Sequence, residues 1–185
     1  MQLLIAINFS EATRDKIILL REGLRARSTQ GNFTTDDNLR LVLAHIDNCS
    51  PYQIDAFKAA MDKVCFEPFT MAINNIRYRK FQTGHRWWVD MEDREPLLAL
   101  QREIARKFAA DGFRIESRRY KMRIRLGGQV FSDAGPRKIK RIKEEVSAIH
   151  LLKPEQEQVP DVPVYSNIHT RSCLLAEAHP EGAMG

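Results

Sequence analysis

Short apolar strands alternating with amphipathic helices predict an α+β protein built as two similar lobes. The order reads strand, helix, strand, helix, paired strands, helix, strand and paired strands. Two segments share one apolar frame: LRLVL (39–43) and MRIRL (122–126) place large aliphatics at alternate positions with an arginine after the first, 83 residues apart (123 minus 40). The chain has 185 residues, of which 43% are hydrophobic and 29% charged, which suits one large domain or two fused lobes with a real core.

LLIAI (3–7) is a buried strand, and Ser10 offers an N-cap to a helix with Thr13, Ile17, Leu20 and Leu24 along one stripe. Residues 28–38, rich in Ser, Thr, Asn, Asp and Gly, read as a loop. LRLVLAHI (39–46) is the next strand, with Leu39, Leu41 and Leu43 on one face and Arg40 and Val42 on the other. By the same alternation His45 faces away from Arg40. Ser50, Pro51 and Gln53 make a capping-box start, and Ile54, Phe57, Met61 and Val64 follow at helical spacing, which predicts a helix over 51–64.

FTMAINNIRYRKF and RWWVDME flank Gly84 as a hairpin, placing Trp87 and Trp88 on opposite sides. A helix over 96–110 buries Leu97, Leu100, Ile104 and Phe108 and stops at Gly112. PRKIKRIK (136–143) reads as a solvated loop or helix start, and VSAIHLL (146–152) and VPVYSNIHT (162–170) as two strands pairing across the PEQEQ loop. One domain is expected over 1–171. Residues 172–185 read as a patternless tail ending in GAMG, the kind of remnant that cloning leaves.

No apolar run approaches the roughly 18 residues of a spanning helix, and no basic segment precedes LLIAI, so a cytoplasmic protein without a membrane partner is expected. Cys49, Cys65 and Cys173 are odd in number and unrelated in spacing, against a disulfide framework or paired-thiolate zinc site. No His, Cys, Asp and Glu cluster has ligand spacing. Neither metal nor cofactor is expected, and the chain is expected to be a monomer.

The net charge of +5 is unevenly spread. Between Arg114 and Arg125 stand six basic residues, Arg114, Arg118, Arg119, Lys121, Arg123 and Arg125, against one acid, Glu116. Within RYKMRIRLGG (119–128), if Met122, Ile124 and Leu126 enter a core, Arg123 and Arg125 share the other face. Clustered guanidinium groups suit a polyanion or phosphorylated ligand. They also suit a solvated edge strand protected from aggregation.

LLIAINF at the start, NLRLVL (38–43), EPFTMAI (67–73), RWWV, RRYKMRIRLGGQV (118–130) and VSAIHLLK (146–153) occur in the order found in the 2H phosphoesterase superfamily. The chain resembles its bacterial and archaeal RNA 2',3'-cyclic phosphodiesterases, historically called 2'-5' RNA ligases. The resemblance implies two pseudo-symmetric lobes, each an antiparallel sheet with helices on its outer side, around a central cleft. It also implies two facing His-x-Thr-x segments, in which the histidines act as general base and acid and the threonines hold the phosphate.

At the matching positions this chain has Arg40 and Val42 in the first segment and Arg123 and Arg125 in the second, with Met122 where a proline usually precedes. A guanidinium has donors but no acceptor and titrates above roughly pH 12, so Arg40 and Arg123 cannot act as a base. Positioned acid-base groups contribute roughly 100- to 10,000-fold each, so the family reaction is expected to be lost. Val42 lacks the hydroxyl contact, whereas Arg125 offers phosphate a bidentate, charge-assisted one.

The expectation is a catalytically degenerate protein that binds an RNA end or nucleotide phosphate through Arg40, Arg123 and Arg125. Arg118 and Arg119 would stand at the rim, and Tyr120, or else Trp87 or Trp88, would stack on a base, although a core role is the first expectation for the two tryptophans. One alternative is an active RNA 2',3'-cyclic phosphodiesterase with arginine-clamped charge stabilisation and a displaced base. Another is a protein-interaction scaffold whose arginines pair with acids. No second histidine pair is recognisable among His45, His85, His150, His169 and His179.

Overall fold

The computed structural model describes residues 1–115, 122–155 and 162–174. Two antiparallel sheets form the frame. One has four strands in the order β3 (Leu41–Ile46), β1 (Leu3–Ile7), β8 (Ala148–Pro154), β9 (Tyr165–Ser172). The other has five, in the order β2 (Ser28–Phe33), β6 (Ile124–Ser132), β5 (His85–Met91), β4 (Phe69–Arg79), β7 (Arg137–Val146). Helix α1 (Glu11–Ala26) packs on the five-stranded sheet through β2, β6 and β7. Helices α2 (Ile54–Asp62) and α3 (Glu95–Ala110) pack on each other, and Gln101 of α3 donates to the Leu43 carbonyl at 2.8 Å, tying that pair to the four-stranded sheet. The expected α+β, two-lobed architecture is present, with LRLVL in one sheet and MRIRL in the other.

Local signals explain most elements. Ser10 Oγ accepts from the Thr13 amide at 3.3 Å and donates to Glu144 at 2.9 Å, so the α1 cap is also anchored to β7. The expected α1 stripe has Arg21 where an aliphatic would sit. Arg21 is 5% exposed, donating to the Thr34 carbonyl at 2.8 Å and to Asp36 at 2.6 Å, with Glu22 as a further partner. The Ser50 amide donates to Gln53 Oε1 at 3.0 Å, and the predicted helix over 51–64 begins as a 3-10 turn, Pro51–Gln53, before α2. The β4–β5 hairpin turns at Gly84 with φ +116°, where a side chain would run into the Gln129 backbone.

Three expectations are corrected. Residues 28–33 form the edge strand β2, not a loop, because β6 supplies hydrogen-bond partners that local turn propensity does not foresee. PRKIKRIK is the first part of β7, the opposite edge, where Ile139 and Ile142 pack on the core while Lys and Arg face water. A bulge at Leu43 reverses the alternation along β3: Val42 pairs with Ala6, but Ala44 pairs with Ile5 and His45 with Leu4. His45 therefore shares a face with Val42. At the C-terminal end, the Cys173 amide bonds to the Ser147 carbonyl and the Leu174 amide to the Phe66 carbonyl, so the chain stays docked beyond residue 171.

Candidate functional site

The MRIRL segment has the predicted alternation: Met122, Ile124 and Leu126 are 2%, 0% and 0% exposed, whereas Arg123 is half-buried and Arg125 exposed. On the other lobe, Arg40 leads into β3, and Val42 packs in a small apolar cluster with Leu4, Ala6, Leu152 and Tyr165. Arg40, Val42, Arg123 and Arg125 line one cleft of about 900 Å³, together with Leu4 and Tyr165. Residues Gly31–Thr35 and Arg25 also line it. No carboxylate lines this cleft among the described residues. Arg118, Arg119 and Tyr120 lie outside the described residues.

Each guanidinium is held from one side. Arg40 lies over the Tyr165 ring, 5.4 Å from its centroid, and donates to the Asp37 carbonyl. Burial holds it below its ordinary pKa; Tyr165 opposes that shift and Arg14 adds to it. Arg123 lies 3.9 Å over the Trp88 ring. Burial again lowers its pKa, with Asp90 opposing and Arg94, Arg79 and Arg86 adding like-charge repulsion. The Nε atoms of Arg40 and Arg123 are buried and have no hydrogen-bond partner among the described residues. Unsatisfied buried donors cost free energy.

Arg125 is exposed as a residue, and its guanidinium sits in the space that a Gly128 side chain would fill. Loss of solvation there lowers its pKa, and Arg86 lowers it further. Asp90, 8% exposed, is the acid whose charge supports that of Arg123, yet it already accepts from Arg94 and from the Met91 amide and lies 3.5 Å from Arg77. One carboxylate therefore faces several cations. The like charges of Arg94, Arg79 and Arg86 act against that of Arg123, a repulsion that a bound anion relieves.

The tryptophans divide as alternation requires. Trp87 is fully buried and stacks on Tyr78 at 4.7 Å; Trp88 is 7% exposed beneath Arg123, and neither offers an open ring face. The histidines also separate. His169 meets Asp62 at 2.7 Å, and His85 stacks on Tyr78 at 5.0 Å. His150 pairs with Ala6 and Thr170, hence on the face that carries Val42, and its Nδ1 lies 3.0 Å from Thr170 Oγ1 and 3.1 Å from Asn167 Nδ2. It does not line the cleft.

Sequence reasoning missed Arg25 and Tyr165, which line the cleft from α1 and β9, and Arg14, whose charge acts on Arg40. It also missed Arg79, Arg86 and Arg94. The alternation in IRYR and RWWVD already placed Arg77 and Arg79, and Arg86, Trp88 and Asp90, on shared faces of a predicted hairpin.

No family model and no curated protein matches this chain. Its two-sheet architecture is shared with solved structures: one described as a phosphoesterase aligns at TM-score 0.68 and 19% identity over 93% of this chain and 97% of that chain. The protein TT0787 of Thermus thermophilus aligns at TM-score 0.75 and 18% identity, covering 93% and 97%. LigT of E. coli, complexed with 3'-AMP, aligns at 0.72 and 16%, covering 94% and 98%. At these identities the likeness is one of fold.

Proposed function

We propose that this protein is a catalytically degenerate 2H-phosphoesterase-like domain whose cleft binds a phosphate-bearing ligand, an RNA end or nucleotide, without hydrolysing it. The observation that carries this reading is the collection of Arg40, Arg123 and Arg125 around one carboxylate-free cleft, two of them with buried, unpartnered donors among the described residues. In the resemblance these arginines and Val42 occupy the positions of the acid-base histidines and phosphate-holding threonines. Guanidinium groups retain charge and directed N–H donors but cannot exchange a proton near neutral pH. The fold likeness lends support, since LigT has been crystallised with 3'-AMP, NADP+, ATP and phosphate.

The test has two arms. Titration with a 3'-phosphorylated nucleotide and a short RNA should show binding that weakens as salt rises, because cation–phosphate contacts release counterions. Incubation with a 2',3'-cyclic nucleotide should leave it intact. Accumulation of the 2'-phosphate, abolished in Arg123→Ala, would overturn the degenerate reading. The active alternative requires a displaced base; His150, which like His45 lies on the Val42 face although outside the cleft lining, has a hydroxyl and an amide as partners, and turnover lost in His150→Gln would select it. The scaffold alternative would rest on Asp90 as an internal partner, and it requires that nucleotides and RNA fail to bind.

A further inference from the structure

Arg125 lines a second hollow as well as the main cleft. This hollow, about 340 Å³, is formed by Asn32, Phe81, Thr83, Arg86, Arg125 and Gln129, with Asn32 also common to both. Its walls are fixed by close backbone approaches. Gly84 packs against the Gln129 backbone, which seats the tip of the β4–β5 hairpin on β6. Gly128 leaves open the space where the Arg125 guanidinium lies, and Asn32 Nδ2 donates to Gln129 Oε1 at 2.6 Å. Gln129 itself holds φ +52°, an unusual backbone conformation for a side-chain-bearing residue.

The hollow has the chemistry of a nucleotide subsite. Phe81, at 41% exposure, presents an aromatic ring at the tip of the hairpin. The guanidinium carbons of Arg79 and Arg86 approach its centroid at 5.4 and 5.0 Å, so ring and guanidinium planes together offer stacking surface. Arg79 and Arg86 are direct cross-strand partners, a like-charge arrangement that destabilises a hairpin unless an anion comes between or beside them. Asn32, Thr83 and Gln129 add neutral hydrogen-bonding groups of the kind that read base and sugar edges. Arg125 stands at the junction, where a phosphate shared between two nucleotide units would lie.

Resting on the reading of the main cleft as a phosphate site, we infer that the ligand is a single-stranded oligonucleotide of at least two units. Its terminal phosphate lies among Arg40, Arg123 and Arg125, its next phosphate between Arg125 and Arg86, and the adjoining base on Phe81. Both phosphates face fixed cations, and the base meets a sequence-tolerant π surface.

The test compares adenosine 3'-monophosphate with a 3'-phosphorylated adenosine dinucleotide by calorimetric titration of the full chain. In wild-type protein the dinucleotide should bind about ten-fold or more tightly, the gain expected from one stacked base and one further phosphate contact. Phe81→Ala should shrink that ratio several-fold, whereas Phe81→Trp should retain it. Phe81 is exposed at a hairpin tip, and circular dichroism would show that both variants fold. A wild-type ratio near one overturns the two-unit subsite while leaving the main cleft intact. A ratio unchanged in Phe81→Ala overturns stacking at this ring. Failure of wild-type protein to bind either nucleotide overturns the phosphate reading on which the subsite rests.

Discussion

Replacing Arg123 with methionine separates a ligand-binding arginine from a structural one. The guanidinium lies 3.9 Å over Trp88, its Nε is unpartnered among the described residues, and burial together with Arg94, Arg79 and Arg86 disfavours its charge. Methionine keeps a long apolar stem on the indole, and its sulfur–aromatic contact replaces much of a cation–π term worth about 0.5–2 kcal/mol. Relief of like-charge repulsion offsets part of the remainder. The ligand-free protein should therefore change in stability by no more than about 1 kcal/mol, read by urea denaturation. Binding should suffer more: a hydrogen bond to a charged group contributes about 1.5–3 kcal/mol, so affinity for a 3'-phosphorylated oligonucleotide should fall about 10- to 150-fold. The slope of log affinity against log salt should become shallower by about one. A variant that loses stability but binds as wild type would refute the assignment and return Arg123 to a purely internal role beside Asp90.

Three other outcomes are expected. Arg21→Ala should lower stability by about 2 kcal/mol in urea titration, since it removes charged hydrogen bonds to Thr34 and Asp36, and it should weaken ligand binding because that segment leads into Arg40. Gly84→Ala should cost about 2 kcal/mol or more by thermal or urea melting, because φ +116° strains a side-chain-bearing residue and the added carbon meets the Gln129 backbone. The third concerns pH. Burial lowers the pKa of His45, with Asp47 opposing, and that of His150. Their native values lie below the ordinary 6.5, so the unfolded chain takes up protons first. The stability contributed by the neutral rings is complete above that pH and is lost as pH falls below it. Melting temperature should decline from about pH 7.5 to 5.5, and His150→Gln should flatten the decline; a flat wild-type profile would contradict this.

Much of the fold was legible because its central elements obey simple periods. Alternation in MRIRL, the helical stripes of α2 and α3 and the turn at Gly84 each specify a local structure that packing then uses. The edges were not legible. STQGNF and RKIKRIK are polar because edge strands face water, and only pairing with β6 and β4 makes them strands. The facing of His45 was misread for a related reason: the extra residue at Leu43 is a feature of the β1–β3 pair, invisible in either strand alone. Within the site, Arg40, Val42, Arg123 and Arg125 could be singled out as a pattern, but their common cleft depends on the juxtaposition of two sheets. Tyr165 and Arg14 carry no motif that connects them with Arg40. Arg86, by contrast, was accessible from hairpin parity, since it shares a face with Trp88 and Asp90 beside Arg79.

A crystal of the protein soaked with a 2',3'-cyclic nucleotide tests at once whether the cleft holds phosphate and whether it leaves it unreacted. The expected density is an intact cyclic phosphate contacted by Arg40, Arg123 and Arg125. An empty cleft in a crystal with open access to it would contradict the binding claim, and an opened ring bearing a 2'-phosphate would contradict the loss of catalysis.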